Sequence, residues 1–241
     1  MRNTYSPRWF STFLGSIDAG VVAREVAFLS RQLPLAHFPR VLDVCSGPGR
    51  HQVPLCALGY EVIGLDRDMS ALAASRRRGL EQGLADVALL RADMAALPVA
   101  TGQLDAAICM WQSFGHLEPQ GDRAVLAQMH DALRDRGRVV LDVYNRRFHE
   151  TRTGMRTLQR DDTTVFEERT VHRGRLHVRL SYDTPRDAAH VDDFEWTLYD
   201  AVELSTMARK AGLSTVLVCA GFDEARPVTD EEARMQLVFQ R

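Results

Sequence analysis

The 241-residue chain has no run of about 18 apolar residues, so no part of it is expected to span a membrane. It also lacks a basic excess. Thirty Lys and Arg stand against 32 Asp and Glu, a formal charge of -2, whereas proteins built to grip phosphate backbones carry positive charge. The four cysteines, Cys45, Cys56, Cys109 and Cys219, are scattered, with no CxxC pair and no His/Cys cluster at zinc spacing, so neither a disulfide framework nor a metal is expected. The first ten residues hold no apolar signal stretch. These absences lead to the expectation of a reduced, cytoplasmic protein whose partner is a small molecule rather than nucleic acid or a membrane. The one basic run, Arg76-Arg77-Arg78, reads as a solvated face near a helix C-terminus, where cations suit the dipole.

What is present is an alternation of short apolar runs and amphipathic stretches. Strands are expected at 40–45, 60–65, 87–91, 104–110 and 138–144, with helices at 20–33, 51–58, 69–82 and 122–134 between and before them. Strand and helix in turn call for a parallel sheet covered on both faces, and the unbroken Val139-Val140-Leu141 agrees with burial on both sides. After Asn145 the texture changes to polar–apolar alternation. Segments 165–171 and 176–180 flank His172-Arg173-Gly174-Arg175 as a hairpin, and 193–199 reads as a third antiparallel strand. A helix at 200–211 and strands at 214–219 and 235–239 close the chain. The expected organisation is an N-terminal helical lid (1–39), a cofactor-binding core (40–150), an antiparallel insertion covering the acceptor (151–199), and a closing helix with two strands (200–241). The insertion is also where a homodimer would form, through an exposed strand edge.

Chemistry concentrates at strand ends. Val41-Leu42-Asp43-Val44-Cys45-Ser46-Gly47-Pro48-Gly49 is a buried strand running into a glycine turn and then a helix. Glycines let backbone approach a ligand, and a helix start offers unpaired N–H groups. A phosphate loop would need Gly-Lys-Ser/Thr, but the chain reads Gly49-Arg50-His51. A dinucleotide turn would need a third glycine where Gln52 stands. A turn serving a nucleoside with an amino-acid tail needs neither. Asp66, ending the second strand, is placed to accept from both ribose hydroxyls, while Asp68 or Ser70 suits the following helix cap. Asp93, after the third strand, can accept from an adenine amino group, with the Met94 backbone beside it.

On these residues the chain resembles the class I, S-adenosylmethionine-dependent methyltransferases, in the small-molecule branch labelled type 11 or type 25. The resemblance covers about Val21 to Tyr144 and, more loosely, Leu198 to the end. It implies a Rossmann-like α/β fold, with a seven-stranded, mostly parallel sheet whose last strand is antiparallel. It implies S-adenosyl-L-methionine as cofactor, held by Asp43, Cys45, Gly47 and Gly49 of the first loop, by Asp66 and Arg67, by Asp93 and Met94, and by Met110 and Trp111 at the end of a fourth motif. Cys45 departs from the glycine frequent at its position and narrows the approach of the methionine moiety. The chain reads Met110-Trp111-Gln112-Ser113 where enzymes acting on exocyclic amines of nucleic-acid bases carry Asn/Asp-Pro-Pro-Tyr. Its Ser113-Phe114-Gly115-His116 is similar to a Ser-Phe-Gly-aromatic run of the type 25 branch.

The expected reaction is methyl transfer to O or N of a small acceptor, with His116 as candidate general base because its ordinary pKa suits neutral pH. Ser113, His116, Tyr144, Asn145 and Arg146 are the acceptor-side candidates, and Tyr5, Trp9 and Phe10 a lid over the cofactor. Two alternatives stand beside this reading: an RNA (tRNA) methyltransferase, and a non-catalytic protein that binds adenosylmethionine.

Overall fold

The computed structural model describes residues 3–14, 17–160, 162–183 and 190–241. Residues 1, 2, 15 and 16 of the expected lid, and 161 and 184–189 of the expected insertion, lie outside them.

The chain opens with a short helix α1 (Pro7–Trp9) running into a π-helical turn (Phe10–Leu14), then α2 (Ala19–Gln32). The core follows as β1 (Arg40–Val44), α3 (Gln52–Ala57), β2 (Glu61–Asp66), α4 (Met69–Glu81), β3 (Ala88–Arg91), β4 (Leu104–Cys109), α5 (Pro119–Ala132) and β5 (Leu133–Tyr144). After a short α6 (Arg146–Glu150) come β6 (Gly154–Arg160), β7 (Thr163–His172), β8 (Arg175–Asp183) and β9 (His190–Thr197). Then α7 (Ala201–Lys210), β10 (Ser214–Cys219) and β11 (Arg234–Gln240) complete the chain.

Seven strands form one sheet in the order β10-β11-β5-β4-β1-β2-β3. β11 runs antiparallel to both of its neighbours, and the pairs from β5 to β3 are parallel. Successive strand residues point to opposite faces, so each strand feeds two cores. Leu42, Val44, Ala107, Cys109, Val139 and Leu141 meet α5 and α7 residues such as Leu126, Met129 and Leu204 on one side. Val41, Ala106, Ile108 and Val140 meet Val26, Phe28, Leu29 and Leu55 of α2 and α3 on the other. Burial on both faces is why these strands read as unbroken apolar runs.

Asp68 caps α4 through its Ser70 N–H, as the sequence suggests. The expected helix at 122–134 begins earlier, with Pro119 in its first turn, where a missing N–H costs nothing. Gln52, which breaks the dinucleotide pattern, is fully buried. Its amide donates to the carbonyls of Val62 and Ala88 and accepts from Ser75 Oγ, tying β2, β3 and α4 together. Gly64 sits inside β2 because a Cβ there would lie 2.3 Å from the Gln52 side chain.

The insertion is a separate sheet, β6-β7-β8-β9, antiparallel throughout. The hairpin turn is Arg173-Gly174, both with positive φ, the geometry that matches strand twist in two-residue loops. The expectation of three strands is corrected to four. Gly154–Arg160 carries little apolar signal because it is a largely exposed edge strand, held to β7 by its ladder and by the Arg156–Glu167 pair. The inner face of this sheet (Val165, Leu176, Val178, Leu180, Phe194, Trp196) packs on Tyr5, Trp9 and Phe13 of the N-terminal segment.

Candidate active site

β1 and β4 lie side by side, and the chain continues from them to opposite sides of the sheet. At such a switch point the loops diverge and leave a crevice at the carboxyl ends. Here the crevice is a cavity of about 420 Å³ lined by the tips of β1 to β4, by residues 3–5, Trp9 and Phe10, and by the loop 110–117.

Asp43, Cys45, Gly47, Asp66, Arg67, Asp93, Met94, Met110, Trp111, Ser113 and His116 all line it. The first loop makes its turn with Cys45, Gly47 and Gly49 at positive φ. That explains why glycine suits position 45: a non-glycine residue held there costs on the order of 1–3 kcal/mol. The Cys45 thiol rests 3.5 Å from Met94 Sδ. Gly47 faces open space, with nothing within 4 Å of where a Cβ would be.

Asp66 accepts from the N–H groups of Gly47 (2.9 Å) and Asp68 (2.9 Å), which aims it beside the first loop. Burial pushes its pKa up, against those two donors. Asp93 accepts from the Ala95 N–H. Arg67 donates to the Asn3 carbonyl, and the Asn3 amide is bonded in both directions to the Glu195 backbone of β9 at 2.8 Å. The N-terminal segment is thereby strapped across the cavity, from β2's tip to the insertion.

Five of the expected site positions have structural partners that bear on their role. Gly49 points away from the cavity: a Cβ there would lie 2.1 Å from Ser75 Oγ, so its glycine serves packing of the turn on α4. With φ at +72° as well, Gly49→Ala is expected to lower stability by about 1–3 kcal/mol, the usual cost of overpacking. An unchanged urea midpoint would contradict this. Asn145 is a cap: it accepts from Arg147 N–H and donates to the carbonyls of Thr229 and Glu232. Arg146 is spent on the Leu198 carbonyl and Glu203. Tyr144 packs edge-on against His149 (4.4 Å) and Trp196 (5.2 Å), outside the cavity lining. These three sit at the end of β5 as expected, but their side chains serve the junction with α6 and the insertion.

His116 does reach the cavity. Gly115 fixes its loop, its N–H donating to buried Asp122 and its carbonyl accepting from Thr197 N–H. His116 Nε2 lies 3.0 Å from the Tyr5 hydroxyl. Burial, with the charge of Arg67, lowers the His116 pKa to about 3, while burial raises that of Tyr5. The pair is therefore neutral, and a base matched to neutral pH it is not. That low basicity argues against His116 as the general base expected from the sequence.

Below the cavity floor lies a charged cluster that the sequence reading missed. Glu25 of α2 is fully buried and receives His51 Nε2 (2.8 Å), Trp111 Nε1 (2.6 Å) and Arg234 Nη2 (3.2 Å). Burial opposes its charge, but those donors and the charges of His51 and Arg234 hold its pKa down to about 2. Buried Asp142 accepts from the Trp111 N–H and pairs with Arg234 at 2.9 Å. Trp111 and Gln112, consecutive residues at positive φ, are thereby pinned. The Arg50 guanidinium lies over the Trp111 ring, 3.6 Å from its centroid. The signal in the sequence was the charged pair Arg50-His51 inside an otherwise buried turn.

Four buried polar atoms of the cavity lining have no hydrogen-bond partner: Asp43 Oδ2, Ser46 Oγ, Arg50 Nη1 and Gln112 Oε1. Buried polar groups are normally satisfied, so this cluster suits a ligand carrying both signs of charge. An amino-acid tail would provide an ammonium for Asp43 and a carboxylate for Arg50, in the same cavity as the Asp66 and Asp93 carboxylates. The residues present thus fit an adenosylmethionine-type cofactor. No His/Cys/Asp/Glu group that could hold a metal occurs among the described residues, and no helix among them is long and apolar enough to cross a membrane.

A family model described as a methyltransferase domain, type 25, matches residues 41–137. A glycine/sarcosine N-methyltransferase of Halorhodospira halochloris is 31% identical over 128 residues, 50% of this chain and 46% of the relative. The chain thus spans about half the length of the curated relatives it matches. Among solved structures, an S-adenosylmethionine-dependent methyltransferase from Clostridium acetobutylicum ATCC 824 superposes with a TM-score of 0.83 at 13% identity, covering 97% of this chain and 96% of that one. The amino pentose methyltransferase CalS10 from Micromonospora echinaspora gives 0.72 at 21% identity, covering 100% and 99%. Residues 41–137 are therefore similar to the type 25 methyltransferase domain, and the whole chain shares its fold with solved S-adenosylmethionine-dependent methyltransferases.

Proposed function

We propose that the protein transfers a methyl group from S-adenosylmethionine to the amine nitrogen of a small molecule. The observation that carries this reading is the set of unpartnered, oppositely charged atoms, Asp43 Oδ2 and Arg50 Nη1, in the same cavity as the Asp66 and Asp93 carboxylates. When bound, the cofactor supplies a methyl on a sulfonium, already activated for in-line displacement.

The chain's own work is then positioning and exclusion of water. Well-oriented reactants can remove roughly 7–11 kcal/mol of a barrier. Asp66 and Asp93 orient the nucleoside, Arg50 and Asp43 the tail, and the strap of residues 3–10 closes the site. The Tyr5–His116 pair offers neutral hydrogen-bonding atoms to an acceptor. An amine moved into this enclosure loses its proton more readily than in water, because burial disfavours the charged form, so no strong base is needed. A hydroxyl acceptor would need one, and the pair does not supply it. The glycine/sarcosine N-methyltransferases among the relatives agree with nitrogen as the acceptor atom. If copies pair, the exposed edge of β6 is the edge that fits.

Calorimetric titration tests the proposal. S-adenosylmethionine and S-adenosylhomocysteine are expected to bind and NAD is not; binding of NAD alone would refute it. Asp66→Ala should weaken binding by about 1.5–3 kcal/mol, the range for hydrogen bonds to a charged group, and wild-type affinity in that variant would remove the ribose assignment. Burial raises the Asp43 pKa to about 7, so near neutrality a fraction of sites carry a proton there. An ammonium beside Asp43 favours the carboxylate, so affinity should rise as pH climbs through 7, with proton release on binding in buffers of differing ionisation enthalpy.

A further inference from the structure

The charged side chains of the lining all belong to the strand tips and the first loop: Asp43, Arg50, Asp66, Arg67, Asp68 and Asp93. The wall left for an acceptor is built differently. It consists of Tyr5, Trp9 and Phe10 from the strap, with His116 and Leu117 from the loop after β4. The rings form a continuous surface. Tyr5 and Trp9 are 4.4 Å apart, Trp9 and Phe10 5.5 Å, and Tyr5 and His116 5.9 Å, with Phe194 stacked behind Tyr5 at 4.8 Å. Among the described residues this wall contains no lysine or arginine. The two arginines of the lining lie outside this wall: Arg50 keeps a free Nη1 for the cofactor's carboxylate, and Arg67, at the tip of β2, donates to the Asn3 carbonyl while its charge reaches His116.

A free amino acid carries its carboxylate one carbon from its amine, so the nitrogen cannot reach the methyl without bringing the carboxylate into the same wall. There it would meet aromatic rings and the neutral Tyr5–His116 pair, with no cation in the wall itself to pair with it, and an unpaired buried charge is strongly disfavoured. An apolar ring or alkyl framework gains in the same place by burying its surface and stacking. Resting on the methyl-transfer reading, we infer that the acceptor is an amine borne on an uncharged ring or alkyl framework, selected by Trp9 and Phe10, and not an amino acid of the glycine or sarcosine kind.

The test uses the full chain saturated with S-adenosylhomocysteine and titrated with cyclohexylamine, glycine and sarcosine. Cyclohexylamine should bind at least tenfold more tightly than either amino acid. Trp9→Ala should shrink that ratio at least fivefold, and Thr4→Arg, which adds a cation at an exposed position of the lining, should shrink it by improving glycine. Glycine or sarcosine binding as tightly as cyclohexylamine overturns the inference, as does failure of all three to bind protein that holds S-adenosylhomocysteine. Failure of S-adenosylhomocysteine itself to bind is a different result and refutes the methyl-transfer reading beneath it.

Discussion

Glu25→Ala is expected to destabilise the protein by about 3–5 kcal/mol, the cost of breaking a buried ion pair by removing one partner. Glu25 is fully buried and takes three donors, from His51, Trp111 and Arg234. Its removal leaves all three facing a void, with Arg234 still paired to Asp142. A second observable follows from the same interaction. The Glu25 pKa is held at about 2 rather than 4.5, equivalent to about 3 kcal/mol of stability at roughly 1.4 kcal/mol for each tenfold change in proton affinity. Because the folded-state value is depressed, this contribution is complete above about pH 4.5 and is lost as pH falls toward 2. Urea unfolding at pH 7 and pH 3.5 should therefore show a gap between wild type and variant that narrows in acid. A loss below 1 kcal/mol at pH 7 would show that the cluster does not support the Trp111 loop.

Arg50→Met is expected to weaken S-adenosylmethionine binding by about 2–5 kcal/mol, the range for truncating one partner of a buried, hydrogen-bonded charge pair. Methionine keeps an apolar stem over the Trp111 ring, so the fold loses little. The guanidinium is taken out of water by burial, which lowers its pKa only to about 10, so it stays charged at neutral pH. Its free Nη1 is the feature the substitution removes. Calorimetry separates this effect from instability: a folded variant, with an unchanged thermal transition, should bind the cofactor weakly. Wild-type affinity would mean that the carboxylate sits elsewhere.

The parts of this site that could be read in the sequence are those whose chemistry is local. Asp66 and Asp93 close a strand and open a loop within a few residues, and a short apolar run followed by an acid is visible without knowing the fold. Gly49 shows the limit of that logic. The glycine pattern was correct for a tight turn, but what excludes a side chain there is Ser75 on the next helix, not a ligand. Asn145 and Arg146 fail for a related reason. Position at a strand's carboxyl end puts a backbone near the crevice, but the side chain follows its own partners, here carbonyls of the 229–233 segment and of Leu198. Glu25 and Gln112 were out of reach. Glu25 meets Trp111 from the middle of the chain and Arg234 from its far end, and only the assembled sheet brings them together. The edge strand β6 escaped because its exposure removes the alternation that marks a half-buried strand.

The most direct test of the account is a crystal structure of the protein with S-adenosylhomocysteine. The account predicts the amino-acid tail between Asp43 and Arg50, the ribose hydroxyls on Asp66, and the adenine edge against Asp93 and Met94. An empty crevice at saturating ligand, or the nucleoside bound with its tail away from Arg50, would contradict it.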